Sequence, residues 1–199
     1  MFARNHAELI RRIPGEYKIM KWYALLTLAA VFSAQASPEM CFNKAGRDYG
    51  IDPLLLTAIS IKESRLRMDA INDRNRNKTE DVCGMQVNSS HYAALRKFDI
   101  TRERLLKEPC TCIYTGAWVL AHNFRAYGKN WDSVGMYNTG PSPKLIVQRR
   151  AYATAIKNIY RILLATQMIQ NKQIIQRGEN PLLARSTASA NTNKKANNQ

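Results

Sequence analysis

Four cysteines, Cys41, Cys83, Cys110 and Cys112, most constrain what this chain can fold into. All of them follow an N-terminal segment with the features of a secretory leader. An even number of cysteines in an exported chain predicts disulfides, because the compartment beyond the membrane is oxidising. Cys110 and Cys112 are too close in sequence for an unstrained bridge to each other. Two pairings therefore stay open: 41–110 with 83–112, or 41–112 with 83–110.

A zinc site is the alternative use of these cysteines. The spacing C-x-C with two distant partners suits tetrahedral zinc poorly, and export makes such a site less favourable still. We therefore predict that all four cysteines form disulfides, and we expect no metal and no cofactor.

The leader itself predicts export. Residues 22–34 (WYALLTLAAVFSA) are apolar and uncharged, Lys21 precedes them, and Ala34-Gln35-Ala36 ends the segment. A basic residue, a short apolar run and an A-x-A site are the parts of a signal peptide, and the run is shorter than the roughly 20 residues of a membrane-spanning helix. We predict that residues 1–36 are a cleaved signal peptide, with Met20 as the true start of translation. A short membrane anchor is the alternative.

The chain is strongly basic: thirty Lys and Arg face fifteen Asp and Glu, a net charge of +15. Removing the five basic and two acidic residues of 1–36 leaves +12. Such a charge favours nucleic acid, anionic lipid or an anionic cell-wall polymer as partner. Export and the lack of a recognised DNA-binding motif argue against nucleic acid. We expect no nucleic-acid partner, and membrane contact through the leader alone.

Residues 37–170 predict one mainly α-helical domain. Proline and glycine separate the segments, and no segment alternates apolar and polar residues as a half-buried strand does. Asp52-Pro53 is typical of a helix start, with an N-cap residue followed by proline at the first helical position. The same reasoning predicts helices over 89–96, 112–127 and 144–170, with loops over 69–81 and 135–143.

The end of the chain has a different composition. Apolar residues become rare after residue 170, and the last residues (STASANTNKKANNQ) are polar and of low complexity. Such a segment buries too little apolar surface to offset the entropy lost on ordering. We predict that residues 171–199 are a disordered tail.

Glu63 is the candidate catalytic residue. In the helix predicted after Asp52, Leu55, Ile59 and Glu63 are spaced at i, i+4 and i+8 and lie close to one face. A carboxyl group held against apolar surface ionises less readily, so its pKa rises, as a general acid near neutral pH requires. The alternative is a solvated residue at the end of the helix.

Four short motifs follow one another along the predicted domain. They are Glu63-Ser64 after the apolar helix, Gly84–Asn88 (GMQVN), Met136–Gly140 (MYNTG) and Tyr152-Ala153. Their order and spacing resemble the lytic transglycosylases of the soluble-transglycosylase, lysozyme-like superfamily, whose pattern is Glu-Ser, Gly-Leu-Met-Gln-Ile, Ala-Tyr-Asn-x-Gly and a later Tyr. The resemblance covers about 41–165. Cys83 and Met136 stand where that family usually has Gly and Ala.

The resemblance implies a lysozyme-like fold and a reaction on peptidoglycan. Glu63 would protonate the leaving oxygen of the β-1,4 bond between N-acetylmuramic acid and N-acetylglucosamine. It would then take a proton from the muramoyl C6 hydroxyl, which closes a 1,6-anhydro ring. This route needs one protein carboxylate, unlike the two of most glycosidases, and no second acidic residue lies in the motifs. The alternatives are a lysozyme-type hydrolase and a non-catalytic assembly factor.

The resemblance also implies roles for polar residues near Glu63. Ser64 and Tyr152 would orient groups around its carboxyl group. Gln86 and Asn138 would contact the N-acetyl and hydroxyl groups of the sugar, since an amide both donates and accepts hydrogen bonds.

Two apolar residues complete the expected site. Met85 and Tyr137 would form walls of the cleft, although residues of these types commonly fill cores. The chain resembles most the small members that accompany conjugation systems, type IV pili and secretion machines. That resemblance implies a monomer in the periplasm of a Gram-negative bacterium, with peptidoglycan strands as substrate and components of such a machine as partners.

Overall fold

The computed structural model describes residues 37–178 and 180–181; the predicted leader lies outside this part of the chain. The α-helices found there are α1 (Pro38–Tyr49), α2 (Pro53–Ser64), α3 (Tyr92–Leu95), α4 (Arg102–Lys107), α5 (Pro109–Tyr127), α6 (Trp131–Thr139) and α7 (Ile146–Gln176). Short 3₁₀ turns occupy Ser89–His91, Arg96–Phe98 and Pro143–Leu145. The mainly α-helical fold class is confirmed. None of the helices in the described residues has both the length and the apolar character needed to cross a membrane.

Capping residues explain where the helices that carry the site begin. The Asp52 carboxylate accepts a hydrogen bond from the Leu54 amide at 2.8 Å, which confirms the helix start predicted at Asp52-Pro53. The Asn130 side chain accepts from the Ser133 amide at 2.9 Å and so starts α6. Gly50, in the left-handed region at φ +63°, ends α1.

Helix α5 runs through the core, with α1 and α6 packed against it. Disulfides join it to two other segments. Cys41–Cys110 links α1 to the first turn of α5. Cys83–Cys112 links the segment after the second strand to the same turn. One of the two pairings left open by the sequence is therefore present. The largest fully buried side chains around these bridges include Leu56, Ile59, Met85, Leu105, Ile113, Leu120 and Ile156.

A small antiparallel sheet lies between α2 and α3, in the order β1 (Ile71–Asn72), β2 (Asp81–Val82) and β3 (Val87–Asn88). Asp81 pairs with Asn88 across β2 and β3. The sequence predicts a loop over 69–81, whereas β1 and the start of β2 lie in that range. Strands of two residues are too short to show the alternation by which strands are recognised.

The predicted loop over 135–143 is wrong in its first half. Residues 135–139 belong to α6, and the turn comes at Gly140, at φ +64°. A Cβ on Gly135 would lie 2.6 Å from the backbone oxygen of Arg149 in α7. Gly135 is thus required for a close helix crossing and not for a turn.

Helix α7 continues past residue 170, where the sequence predicts a disordered tail, and ends at Gln176. Leu163 and Ile174 of α7 line a groove of about 800 Å³ whose other wall comes from α1 and α2. The last turns of α7 thus face apolar side chains of α1 and α2 across this groove. The rest of the predicted tail, from residue 182, lies outside the described residues.

Candidate active site

Glu63 lies in the last turn of α2 and lines a cleft of about 670 Å³. Leu55 and Ile59, which precede it on the same helix face, are buried, while Glu63 itself is half-buried. The hydroxyl of Tyr152, from α7, donates a hydrogen bond to Oε1 of Glu63. The apolar stripe therefore leads into the cleft and leaves the carboxyl group at its wall, next to one hydrogen-bond donor.

The surroundings of Glu63 raise its pKa above the ordinary value. Burial is the largest cause, and the nearby charge of Asp81 acts in the same direction. The hydrogen bond from Tyr152 and the charge of Lys62 lower the pKa and offset part of this effect. Burial, followed by the charge of Glu63, raises the pKa of Tyr152, so that its hydroxyl keeps its proton as a donor. This environment favours a protonated Glu63 able to donate its proton.

Replacing Tyr152 with Phe is expected to lower kcat/KM for the peptidoglycan cleavage that the sequence resemblance implies. The expected loss is about ten- to hundredfold, the usual range for losing a hydrogen bond to a charged group. Because that bond lowers the pKa of Glu63, its loss moves the pKa further up. The basic limb of the pH profile, where protonated Glu63 is lost, should therefore move to higher pH. Tyr160→Phe is the matched control, since this second α7 tyrosine donates to Asp52 at 2.6 Å. An unmoved basic limb in Tyr152→Phe would contradict the assignment.

Residues 83–88, here called the 83–88 strip, are fixed by hydrogen bonds from two helices. The hydroxyls of Ser60 and Ser64 in α2 both donate to the backbone oxygen of Gly84, each at 2.9 Å. The hydroxyl of Tyr137 in α6 donates to the backbone oxygen of Met85 at 2.8 Å. Buried hydroxyl groups thus hold the backbone of the strip beside Glu63.

The strip is also constrained by its own backbone and by α5. Cys83 and Gln86 both adopt positive φ angles, of 65° and 49°. Such a conformation is uncommon for residues other than glycine and persists where the surroundings hold it. The Met85 amide lies 3.3 Å from Sγ of Cys112. The disulfide therefore anchors the strip at the point where its backbone is most unusual.

Two residues expected around the cleft lie elsewhere. Met85 is fully buried and packs on α5, where a Cβ on Gly116 would approach its side chain within 2.5–2.8 Å. Ser64 is buried as well and binds the backbone of Gly84. Neither residue lines the cleft. Met85 therefore fills the core instead of forming a wall, and Ser64 holds the strip that lies beside Glu63.

The other expected residues do come together. Gln86, Tyr137 and Asn138 line the cleft with Glu63. The Gln86 amide nitrogen donates to the backbone oxygen of Cys83 at 3.0 Å, which leaves its side-chain oxygen as an acceptor. Asn138 is exposed at the cleft wall, where both ends of its amide are accessible to a ligand.

Asp81 is a cleft residue that the sequence does not reveal. Its Oδ1 accepts from the Asn88 amide at 2.7 Å, and its Oδ2 accepts from Asn75 at 2.8 Å and from Asn72 at 3.2 Å. Asp81 lies outside the four motifs, at the end of a segment that the sequence predicts to be a loop. The pairing of β2 with β3 brings it beside Asn88, and two-residue strands give no sequence signal for that pairing.

The rest of the cleft wall mixes apolar residues, such as Val119 and Met136, with polar ones. His91 lines the cleft, and burial, followed by the charge of His122, lowers its pKa. Its ring meets Trp118 edge-on, with ring centroids 5.7 Å apart. Other lining residues come from the segment between β1 and β2, namely Asn75, Arg76, Asn77 and Thr79.

Comparison with known proteins places this geometry in a family. Residues 40–160 match the family model described as "Transglycosylase SLT domain". The match contains Glu63, Tyr152 and the whole 83–88 strip. It therefore covers the residues that form the cleft and more than half of the chain.

Relatives extend the comparison beyond the family model. The chain is 45% identical over 147 residues to an X polypeptide of Escherichia coli, which covers 70% of this chain and 83% of that protein. It is 38% identical over 141 residues to the invasion protein IagB of Salmonella typhimurium (71% and 88%). It is 37% identical over 134 residues to the protein IpgF of Shigella flexneri (67% and 88%). The chain belongs to the transglycosylase SLT domain family of the lysozyme-like superfamily.

Proposed function

We propose that the protein is an exported lytic transglycosylase. It cleaves the β-1,4 bond between N-acetylmuramic acid and N-acetylglucosamine in peptidoglycan and leaves 1,6-anhydromuramic ends. The observation that supports this best is Glu63: a carboxyl group with a raised pKa at a cleft wall, with Tyr152 as a hydrogen-bond donor. Membership of the transglycosylase SLT domain family agrees with it.

In the first step, protonated Glu63 donates its proton to the leaving oxygen as the glycosidic bond breaks. The positive charge that develops at C1 is met by the N-acetyl oxygen of the same sugar. The Glu63 carboxylate that results keeps the hydrogen bond from Tyr152, which stabilises this charged form. The raised pKa keeps Glu63 protonated to a higher pH, so that the acid required for the first step is available.

In the second step, the Glu63 carboxylate takes the proton of the muramoyl C6 hydroxyl, and O6 bonds to C1 as the N-acetyl oxygen leaves C1. Glu63 returns to its protonated form and the product carries the anhydro ring. Gln86 and Asn138 are proposed to hold the sugar through its N-acetyl and hydroxyl groups, and Tyr137 to form the apolar part of the wall. All three line the cleft with Glu63.

A lysozyme-type muramidase is the second candidate, and Asp81 is the observation that favours it. This second carboxylate lines the same cleft, and a hydrolase requires a group to activate water. Against a role as base, three asparagine amides already donate to its oxygens. A carboxylate held by three donors fits a role in positioning the hairpin of β2 and β3 better than a role in proton transfer.

Replacing Asp81 with Asn separates the two candidates. We expect anhydro products to persist, and the basic limb of the pH profile to move to lower pH, because the charge of Asp81 raises the pKa of Glu63. The neutral amide also loses an acceptor for the surrounding asparagines, so a stability loss of about 1–3 kcal/mol is expected. Asp73→Asn, an exposed residue of the same loop, is the control. The muramidase is supported instead if the Asp81→Asn variant loses all cleavage and the wild type gives reducing-end products.

The direct test of the proposed function is a digest of purified peptidoglycan analysed by mass spectrometry. Anhydromuropeptides from the wild type support the transglycosylase. Reducing-end products support the muramidase. If neither appears, and a Glu63→Gln variant supports full function in a transfer or secretion assay, an assembly role is favoured.

We also propose that residues 1–36 export the protein to the periplasm of a Gram-negative bacterium. There it would open the wall locally, as a monomer, for a conjugation, pilus or secretion apparatus. One relative is named an invasion protein, which agrees with a role at the cell envelope. N-terminal sequencing of the periplasmic form tests the export step: a chain that begins at Ser37 is expected, and retention of the leader would contradict it.

A further inference from the structure

The second half of α7 exposes large aliphatic side chains. Ile162, Met168, Ile169 and Ile175 are 59–71% exposed, whereas the last fully buried residue of α7 is Ile156. Isolated exposed apolar residues are ordinary on a protein surface. Four of them within fourteen residues of one helix form a patch, and a patch of this kind marks an interaction surface.

Helical geometry arranges these side chains in two rows. Residues seven apart lie about 20° from each other around a helix, so Ile162 and Ile169 form one row and Met168 and Ile175 the other. Residues eleven apart also point in nearly the same direction around a helix, so Arg161 and Lys172 lie in line with each other. That line lies between the two rows. Both of these basic residues are exposed. We call this surface, made of the two rows and the two basic residues, the α7 outer face.

Acidic residues are absent from this part of the sequence. Between Asp132 and Glu179 there is no Asp or Glu, while Ile146–Gln176 contains five Lys and Arg. Arg149 is buried and pairs with Asp132 at 3.2 Å, which removes one of the five from the surface. The α7 outer face is therefore cationic, with no acidic side chain on its own helix to neutralise it.

We propose that the α7 outer face binds the surface of an anionic phospholipid membrane. A helix that combines cations with exposed large aliphatic residues has the character of an interfacial helix, in which the apolar side chains enter the headgroup region and the cations meet anionic headgroups. A polysaccharide or nucleic-acid polyanion would leave the two aliphatic rows in water. This contact goes beyond the expectation from sequence of membrane contact through the leader alone, and it does not depend on the proposed reaction.

The position of the surface leaves the cleft free. Met168 lies sixteen residues after Tyr152, which is about 24 Å along the helix axis. Tyr152 is the α7 residue that binds Glu63. One end of the same helix would thus contact lipid while its other half supports the catalytic carboxyl group.

The test is co-sedimentation with vesicles of phosphatidylcholine alone and of phosphatidylcholine mixed with phosphatidylglycerol. The protein used is Ser37–Gln199, which carries its own core because the buried cluster begins at Cys41. Binding to the anionic vesicles is expected. Replacing Ile162, Met168, Ile169 and Ile175 together with Gln should weaken it about tenfold or more. Replacing Arg161 and Lys172 with Gln should weaken it about tenfold on anionic vesicles.

Matched controls separate this surface from general hydrophobicity and charge. Phe98→Gln with Val147→Gln removes equally exposed apolar residues, and Arg74→Gln with Arg125→Gln removes two exposed cations. Both pairs should bind as the wild type does. Circular dichroism verifies folding, and if the fourfold variant does not fold, the Arg161/Lys172 variant decides.

Four results would overturn the proposal: no binding to anionic vesicles, equal binding to both vesicle types, equal losses in the controls, or unchanged binding in the Arg161/Lys172 variant. Concentration-dependent self-association that is lost in the fourfold variant, without vesicle binding, would assign the α7 outer face to a protein contact instead.

Discussion

Replacing Glu63 with Gln is expected to reduce peptidoglycan cleavage at least about 10³-fold, within the range that general acid–base groups contribute. Glutamine keeps the shape of the side chain and its hydrogen bond with Tyr152, but its amide is too weak an acid to protonate the leaving oxygen. The measurement is the rate of soluble muropeptide release, followed by chromatography and mass spectrometry. Glu39→Gln, an exposed glutamate in the first turn of α1, is the control and should keep wild-type activity.

The stability of the same variant distinguishes a lost proton donor from a damaged fold. The folded-state pKa of Glu63 lies above its ordinary value of 4.5, so the folded protein binds the proton more tightly than the unfolded chain does. The stability from this group is therefore fully present below pH 4.5 and is lost as the pH rises through the raised pKa. Glutamine does not ionise, so the thermal midpoint of Glu63→Gln should equal or exceed that of the wild type at neutral pH. If the variant is inactive and its thermal midpoint is clearly lower, the lost activity is explained by a damaged fold and not by a lost proton donor. Near-normal cleavage by the variant would contradict the mechanism.

Removing the Cys83–Cys112 disulfide is expected to reduce both stability and activity. The bridge closes a loop with a sequence separation of 29, and its loss in a Cys83→Ser/Cys112→Ser variant should cost about 3–4 kcal/mol of unfolding free energy. It also frees the 83–88 strip at Cys83, where the backbone has a positive φ angle. Denaturant unfolding measures the stability, and muropeptide release by the folded fraction at low temperature measures the activity.

The other disulfide provides the matched comparison. Cys41–Cys110 closes a longer loop, with a sequence separation of 69, so its removal should cost at least as much stability, about 4 kcal/mol. This bridge joins α1 to α5 and contains no residue of the strip. The folded fraction of the Cys41→Ser/Cys110→Ser variant should therefore keep most of its activity. If the two double variants lose equal activity, the Cys83–Cys112 bridge does not act through the 83–88 strip.

Much of the site can be predicted from sequence because local rules determine it. The helical spacing of Leu55, Ile59 and Glu63 predicts a carboxyl group at the end of an apolar stripe, and the structure has it at the wall of the cleft. The motifs predict that Tyr137 and Asn138 come near Glu63, and the structure brings them to the same cleft. Their assigned contacts with substrate stay predictions.

The features that sequence does not reveal depend on contacts between distant segments. Met85 fills the space above Gly116, a fit that depends on how the strip crosses α5. Gly135 has the composition signal of a turn, yet it lies where α7 crosses α6. Asp81 becomes a cleft residue through pairing with Asn88. In each case the residue type is compatible with several local structures, and the tertiary contact selects one.

The small sheet has a consequence for how the rim of the cleft can change during evolution. Strands of two residues supply few backbone hydrogen bonds, so the Asp81–Asn88 contact and the neighbouring Cys83–Cys112 bridge must set much of the hairpin register. The pairing of Asn72 with Asp81 closes the segment between them, and lengthening a closed loop costs little free energy. Insertions there are expected to reshape the entrance to the cleft while Glu63 stays in place on α2. With the proposed activity, specificity for different cell walls can therefore change without a change in α2.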